Sequence, residues 1–265
     1  MADTYLDVAY GNDPNNAYDL YIPSSAKEPA PLLVWIHGGA WVSGHRSEFA
    51  RFAEKLAADS GIATALLGYR LTPRPPTEPG QLRHPMHVQD CIEGILHLLA
   101  NKSSLHYSTN IFLIGGHSAG AFIASQIALS GSTFASSRSS FNQAFRNLRG
   151  IISTEGIFDL KEFSKFDETY APNYILPAFG EESGWKDASP QMLVPSLLSK
   201  SLRFRLIHST QDSLVSQAQS ENFKDHLLSI GFTDVKYDYL ELGDHDEAPQ
   251  TELVFQRVME FINQI

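Results

Sequence analysis

Three residues far apart in the chain carry side chains that together could drive an alcohol onto a carbonyl: Ser118, Asp212 and His245. A serine hydroxyl is a weak nucleophile at neutral pH unless an imidazole within hydrogen-bond reach takes its proton. The imidazole in turn needs a carboxylate to fix its tautomer and to stabilise the charge it acquires. Ser118 sits at the apex of Gly116-His-Ser-Ala-Gly120, where an apolar run over 111–114 stops at glycine and a helical apolar pattern follows through residue 129. Such a strand, tight turn and helix lifts the serine above a sheet, and it demands small residues two positions either side, where backbone segments close on one another. Asp212 and His245 each follow an apolar run as well, in the chain order Ser, Asp, His.

A second feature suits the same chemistry. The run over 32–36 leads into His37-Gly-Gly-Ala-Trp41, whose adjacent glycines let backbone amides approach a bound carbonyl. The amides of Gly38, Gly39 or Ala40, with that of Ala119, could then hold the oxyanion, each donor lowering the barrier by about 3 kcal/mol. Competing residues have plainer readings. Asp244, Asp246 and Glu247 flank His245, but chain neighbours seldom have the geometry to orient a ring, and solvent is their expected surrounding. His208 and His226 fall inside a strand and a helix and read as structural; His117 reads as packing, and His37 as a brace for the glycine loop. Cys91 lies on a helical face with Val88, Ile92 and Ile95, as core filling. No Cys, His or carboxylate cluster has metal-ligand spacing, and no glycine-rich loop carries the lysine of a phosphate site, so neither metal nor cofactor is expected.

The elements that must position these groups follow from periodicity. Residues 5–10 and 18–22 alternate in polarity around a turn-forming cluster at 11–16, an antiparallel pair. Buried strands are expected at 32–36 and 62–67, and further strands at 111–114, 150–153, 203–209 and 235–240. Helices are expected after a cap at Ser47 up to Gly61, over 86–100 beyond a Pro-rich loop at 73–85, after Ser118, around 216–230, and over 248–265. The serine-crowded stretch 131–149 reads as a surface excursion with a short helix near 141–148. Residues 157–200 read as an aromatic-rich insertion that could form a lid. Eight strands, mostly parallel, with helices on both faces make one α/β domain over 1–265, whose ligand site lies beyond the carboxyl ends of the strands.

Composition narrows the partners. A net charge of −10 with scattered basic residues argues against nucleic acid or an anionic membrane. One cysteine excludes an internal disulfide framework and fits a reducing compartment. With no signal-peptide pattern at the start, a cytoplasmic protein is expected.

The motifs resemble the α/β-hydrolase superfamily, and within it the fungal kynurenine formamidase (arylformamidase) branch. Tyr18-Asp-Leu-Tyr-Ile-Pro23, His37-Gly-Gly-Ala-Trp41, Gly68-Tyr-Arg-Leu-Thr-Pro73, Gly116-His-Ser-Ala-Gly120, Glu155-Gly-Ile-Phe-Asp-Leu160, His208-Ser-Thr-Gln-Asp212 and His245 carry the resemblance across most of the chain. Several of these are shared with carboxylesterases and with feruloyl and acetylxylan esterases. The resemblance implies hydrolysis of N-formyl-L-kynurenine to L-kynurenine and formate in tryptophan catabolism, through a formyl-enzyme. A formyl substrate would suit an aromatic pocket that Trp41 and the aromatics of 157–185, Phe158 among them, could line; core filling for the insertion is the equal alternative. The expected partner is a small aryl formamide or ester, with neither nucleic acid nor membrane; a homodimer is left open. A general short-chain carboxylesterase is the rival enzyme, and a non-catalytic hydrolase-fold binding protein the rival from another class.

Overall fold

One sheet carries the fold in this computed structural model, which describes residues 2–24, 29–74, 81–101, 107–195 and 201–265. Its strands are β1 (Ala2–Ala9), β2 (Ala17–Pro23), β3 (Ala30–Ile36), β4 (Ala63–Leu67), β5 (Tyr107–His117), β6 (Leu148–Thr154), β7 (Arg203–Ser209) and β8 (Val235–Leu240). They lie in the order β1-β2-β4-β3-β5-β6-β7-β8. The β1–β2 and β2–β4 pairs are antiparallel, and the pairs from β4 through β8 are parallel. Strands β3 and β5 are central and buried on both faces, which is why their sequences are near-continuous apolar runs rather than alternating ones.

The longer helices are α1 (Ala50–Ser60), α2 (Met86–Ala100), α3 (Ala119–Phe134), α4 (Arg138–Phe145), α8 (Gln217–Ser229) and α9 (Glu252–Ile262); short turns α5 (Leu160–Phe166), α6 (Leu176–Phe179) and α7 (Trp185–Ala188) lie between β6 and β7. Helices α1 and α9 bury Phe52, Leu56, Val254 and Phe261 against Trp35 and Ile152 on one face. Helices α2, α3 and α8 close the other face around Phe112, Ile114, Phe122 and Phe204. Gly61 ends α1 in the left-handed conformation at φ 69°, which glycine adopts without strain. The turn before α1 is capped by the His45 side chain and not by Ser47, whose own N–H donates to the His45 ring.

A further expectation changes. Residues 131–149 are not a surface excursion: α3 continues to Phe134, and α4 follows from a Ser137 cap. Ser136, Ser139 and Ser140 are exposed and Ser132 is buried, while Phe141 and Phe145, four residues apart, are buried and stacked at 4.0 Å. Gly131 makes room for that packing, since a Cβ there would stand 2.5 Å from the Phe141 ring. The aromatics of 157–195 divide between the two readings: Phe158 and Trp185 are buried core, while Phe163, Tyr170 and Tyr174 line a cavity. Residues 75–80 of the Pro-rich loop and 196–200 of the insertion lie outside the described residues. Among the described residues no helix is long and apolar enough to cross a membrane.

The loop after β4 is braced by charge. Asp90 of α2 accepts from Arg70 Nε and Nη2 at 2.8 and 2.6 Å, from the Arg70 amide and from Asn16. Thr72 N–H then donates to Trp41 O at 2.9 Å, tying this loop to the glycine loop after β3.

Candidate active site

β5 ends at His117 and α3 begins at Ala119, so Ser118 must make the whole reversal. It does so at φ 53° and ψ −118°, a strained conformation that costs about 1–3 kcal/mol. The glycines beside it are steric necessities. A Cβ at Gly120 would stand 2.1 Å from Ile36 O, and one at Gly116 would stand 2.4 Å from the Gly120 carbonyl carbon. Ser118 N–H donates to Thr154 O at 2.9 Å, anchoring the turn to the end of β6.

The glycine loop packs directly against this turn. A Cβ at Gly38 would meet His117 Nδ1 at 2.9 Å and Ser118 Cβ at 3.1 Å. Gly39, Ala40 and Trp41 all have positive φ, and Gly39 O accepts from the Val42 and Ser43 amides. The N–H groups of Gly39, Ala40 and Ala119 find no acceptor among the described residues, which leaves them as donors for a bound oxyanion. Beneath the loop, His37 stacks on Tyr69 at 4.5 Å, and the Tyr69 hydroxyl donates to the carbonyls of His37 and Gly38. Burial holds His37 neutral, with its pKa down to about 4.

Asp212 and His245 meet from the ends of β7 and β8. The Asp212 Oδ1 accepts from Leu214 and Val215 amides at 2.8 and 2.9 Å, and Oδ2 accepts from His245 Nδ1 at 2.8 Å. Burial alone would raise the Asp212 carboxyl. The hydrogen bond and charge of His245, the Glu155 side chain and the Val215 amide outweigh it, and the group stays well below the usual carboxylate range. With Nδ1 committed to Asp212, Nε2 is the ring's free acceptor. The His245 backbone is fixed at both ends: its N–H donates to Asp244 at 2.8 Å, and its carbonyl accepts from His117 Nε2 at 3.1 Å. Burial keeps His117 well below the usual imidazole range, as a neutral donor. Asp244 also takes Ser213 N–H and Oγ, so this exposed acid links the loops that carry Asp212 and His245.

Ser118 and His245 line the same cavity, about 260 Å³ in volume, with Gly39 and Ala40 at one side. No hydrogen bond joins Ser118 Oγ to His245 Nε2 in the structure; such contacts commonly run long and close as substrate binds. The remaining wall is mostly apolar and aromatic, from Ile157, Phe163, Tyr170, Tyr174, Leu214 and Val215, with Ser43 and Asp246 as its polar members. The Arg74 guanidinium lies over the Tyr174 ring, 4.1 Å from its centroid. Trp41 and Phe158 are elsewhere. Trp41 is fully buried between the edges of Phe122 and Phe179, and Phe158 is stacked on Phe223 at 4.1 Å, so both hold the loops from beneath.

Sequence reasoning gave no role to Glu155, although it lies among the motif residues. Its signal was a carboxylate directly after the apolar run of β6. Two groups could in principle share an ion, His117 with His245 and Asp246, and Glu155 with His208 and Asp212. In each, histidine nitrogens already have protein partners: His117 Nε2 the His245 carbonyl, His208 Nδ1 the Ser220 hydroxyl and His208 Nε2 the Val215 carbonyl.

Comparison with known proteins shows the family of the chain and its fold. A family model, BD-FAE, matches residues 18–227. A probable isoprenylcysteine alpha-carbonyl methylesterase of Oryza sativa subsp. japonica is 26% identical over 237 residues, covering 84% of this chain and 54% of its own length. The chain thus spans about half the length of the plant methylesterases it matches. A kynurenine formamidase of Eremothecium gossypii is 27% identical over 237 residues, covering 84% of this chain and 89% of its own. The crystal structure of esterase B from Lactobacillus rhamnosis superposes with a TM-score of 0.77 at 18% identity, over 99% of this chain and 86% of that one, a likeness of fold.

Proposed function

The chain belongs to the BD-FAE family within the α/β-hydrolase superfamily, and from its site we propose a serine hydrolase that converts N-formyl-L-kynurenine to L-kynurenine and formate. Its relatives support a hydrolase of the esterase or formamidase kind. The observation that carries the chemistry is the 2.8 Å pair of Asp212 and His245 opening on the cavity that holds Ser118. In this reading Ser118 Oγ attacks the formyl carbon as His245 Nε2 takes its proton. The amides of Ala119 and of the loop at Gly38, Gly39 or Ala40 receive the oxyanion; Gly39 and Ala40 reach the cavity, which favours them over Gly38. The arylamine leaves with the proton from His245. Water, deprotonated by the same ring, then attacks the formyl ester on Ser118 and releases formate.

Size and wall chemistry support the substrate class. A cavity of about 260 Å³ lies at the small end of ligand sites and suits a compact aryl amide better than a long isoprenoid chain. Tyr170 and Tyr174 offer faces for an aromatic ring, and Arg74 beside Tyr174 offers a cation for an amino-acid carboxylate. The formamidase relative also aligns over 89% of its length. Values of kcat/KM for N-formylkynurenine, p-nitrophenyl acetate and a feruloyl ester test the assignment. The formamide should lead; much higher values on the simple esters would replace this reading with a short-chain carboxylesterase.

A further inference from the structure

Glu155, the first residue after β6, is wholly buried, and no arginine or lysine pairs with it among the described residues. Its backbone has φ 52°, a conformation that non-glycine residues adopt at a cost and that surrounding structure must impose. Both carboxyl oxygens lie within 3.1 Å of the Ser209 amide, and a carboxyl oxygen of Glu155 lies within 4.8 Å of one of Asp212. Two carboxyl groups so placed cannot both ionise, so one holds a proton.

Which one holds it follows from their partners. Asp212 accepts three N–H donors, from Leu214, Val215 and His245, whereas Glu155 accepts one, from Ser209. Donors favour the charged form, so the charge rests on Asp212 and the proton on Glu155. His208 does not act as counter-cation. Its Nε2 stands 3.7 Å from Glu155 and 3.5 Å from Asp212 but donates to Val215 O, and burial disfavours its charged form. The other titratable groups here are Tyr237 on β8, a phenol that burial keeps neutral, and Glu221 on α8, beside His208 and Tyr237. Burial, followed by contact with Asp212, pushes the Glu155 carboxyl up to about 9.

We propose that Glu155 is a positioning residue of the active site: a neutral carboxylic acid that donates its hydrogen to the Asp212 carboxylate and steadies it against His245. This rests on the reading that Ser118, His245 and Asp212 perform the hydrolysis. The protonation state matters to the reaction. A second ionised carboxylate would add negative charge beside the ring that must take and then give up the serine proton, whereas a neutral acid donating to Asp212 adds none.

The test compares wild type, E155Q, E155L and S118A on p-nitrophenyl acetate and N-formylkynurenine across pH. The glutamine keeps an N–H donor toward Asp212, so E155Q should retain kcat within about threefold and leave the acid limb of the pH–rate profile in place. Leucine removes the donor. E155L should lower kcat by about 10–100-fold, as loss of an outer-shell partner commonly does, with KM within about twofold. Asp212, no longer sharing its charge, should also move the acid limb of E155L to higher pH. Wild-type kcat in E155L, an E155Q loss as deep as that of E155L, or an unmoved acid limb in E155L would overturn the proposal. Should E155L fail to fold, thermal unfolding of E155Q decides: wild type should lose stability relative to E155Q as pH rises from 5 to 9, and parallel curves would overturn it. Turnover surviving in S118A overturns the triad reading beneath; an inactive S118A beside a fully active E155L overturns the Glu155 proposal alone.

Discussion

Replacing Gly120 by alanine adds one methyl group at the place where the first turn of α3 meets the end of β3. That Cβ would lie 2.1 Å from Ile36 O and 2.6 Å from His37 O, both backbone atoms that no rotamer can move. A carbon and an oxygen in contact need roughly 3.3 Å, so the strand end and the helix must part by about 1 Å. The opening falls between Ser118 with Ala119 on one side and the 37–41 loop on the other, and it spreads the amides that would hold the oxyanion. A misplacement of that size costs about 100-fold in rate. Stability should suffer less. Overpacking costs about 1–3 kcal/mol, and alanine returns about 1 kcal/mol of helix propensity over glycine. The expected result is therefore a folded protein, melting a few degrees lower, with kcat/KM on p-nitrophenyl acetate down about 100-fold. Gly184→Ala is the control, because a Cβ there meets nothing within 4 Å, and both quantities should stay put. A G120A enzyme within threefold of wild type would refute the claim that this contact sets the site's geometry.

Arg74→Met should raise KM about tenfold for N-formylkynurenine while leaving a neutral aryl formamide unchanged, a discount from the full strength of a charged hydrogen bond because Arg74 is exposed. Asp212→Asn should lower kcat by about 10⁴-fold with little change in KM, through loss of the tautomer that leaves Nε2 as acceptor. Phe141→Ala should cost about 3–5 kcal/mol and leave kcat/KM untouched, as denaturant unfolding beside a rate assay would show. In stability against pH, Asp212 and Glu155 act in opposite senses. The lowered Asp212 carboxyl contributes stability above its unfolded pKa of about 3.9, and that contribution is lost in strong acid as the folded group protonates. Glu155 binds its proton more tightly when folded, so its contribution is complete below about 4.3 and falls as pH rises toward 9. Unfolding free energies from pH 2 to 9 for wild type, D212N and E155Q would separate the two.

What the sequence disclosed depended on whether the cause was local. The β5–Ser118–α3 turn was legible because its demands, an apolar run, small residues two positions away and an apolar helix, all lie within about twenty residues of chain. The pairing of Asp212 with His245 followed from where apolar runs end, whereas the strand order is set by contacts between distant runs. Glu155 was not legible as more than a motif member, since its partners Ser209 and Asp212 reach it only when β6 and β7 lie side by side. Serines at the exposed positions of 131–149 hid two phenylalanines at helical spacing, and polarity averaged over the stretch pointed outward. Trp41 invited a role at the substrate wall because it follows the glycines; burial against Phe122 and Phe179 took it inward. Tyr170 and Tyr174, four residues apart, were legible only as aromatics of the insertion, because the wall they share with Leu214 and Val215 forms only in the folded chain; Arg74 reaches Tyr174 from a separate loop.

The central claim is that Ser118 is the nucleophile, made reactive by His245. Treatment with a fluorophosphonate, followed by intact mass and peptide mapping, addresses it directly. One adduct per chain is expected, on Ser118, absent in S118A and formed far more slowly in H245A. An adduct on another residue, or labelling of Ser118 at an undiminished rate in H245A, would contradict it.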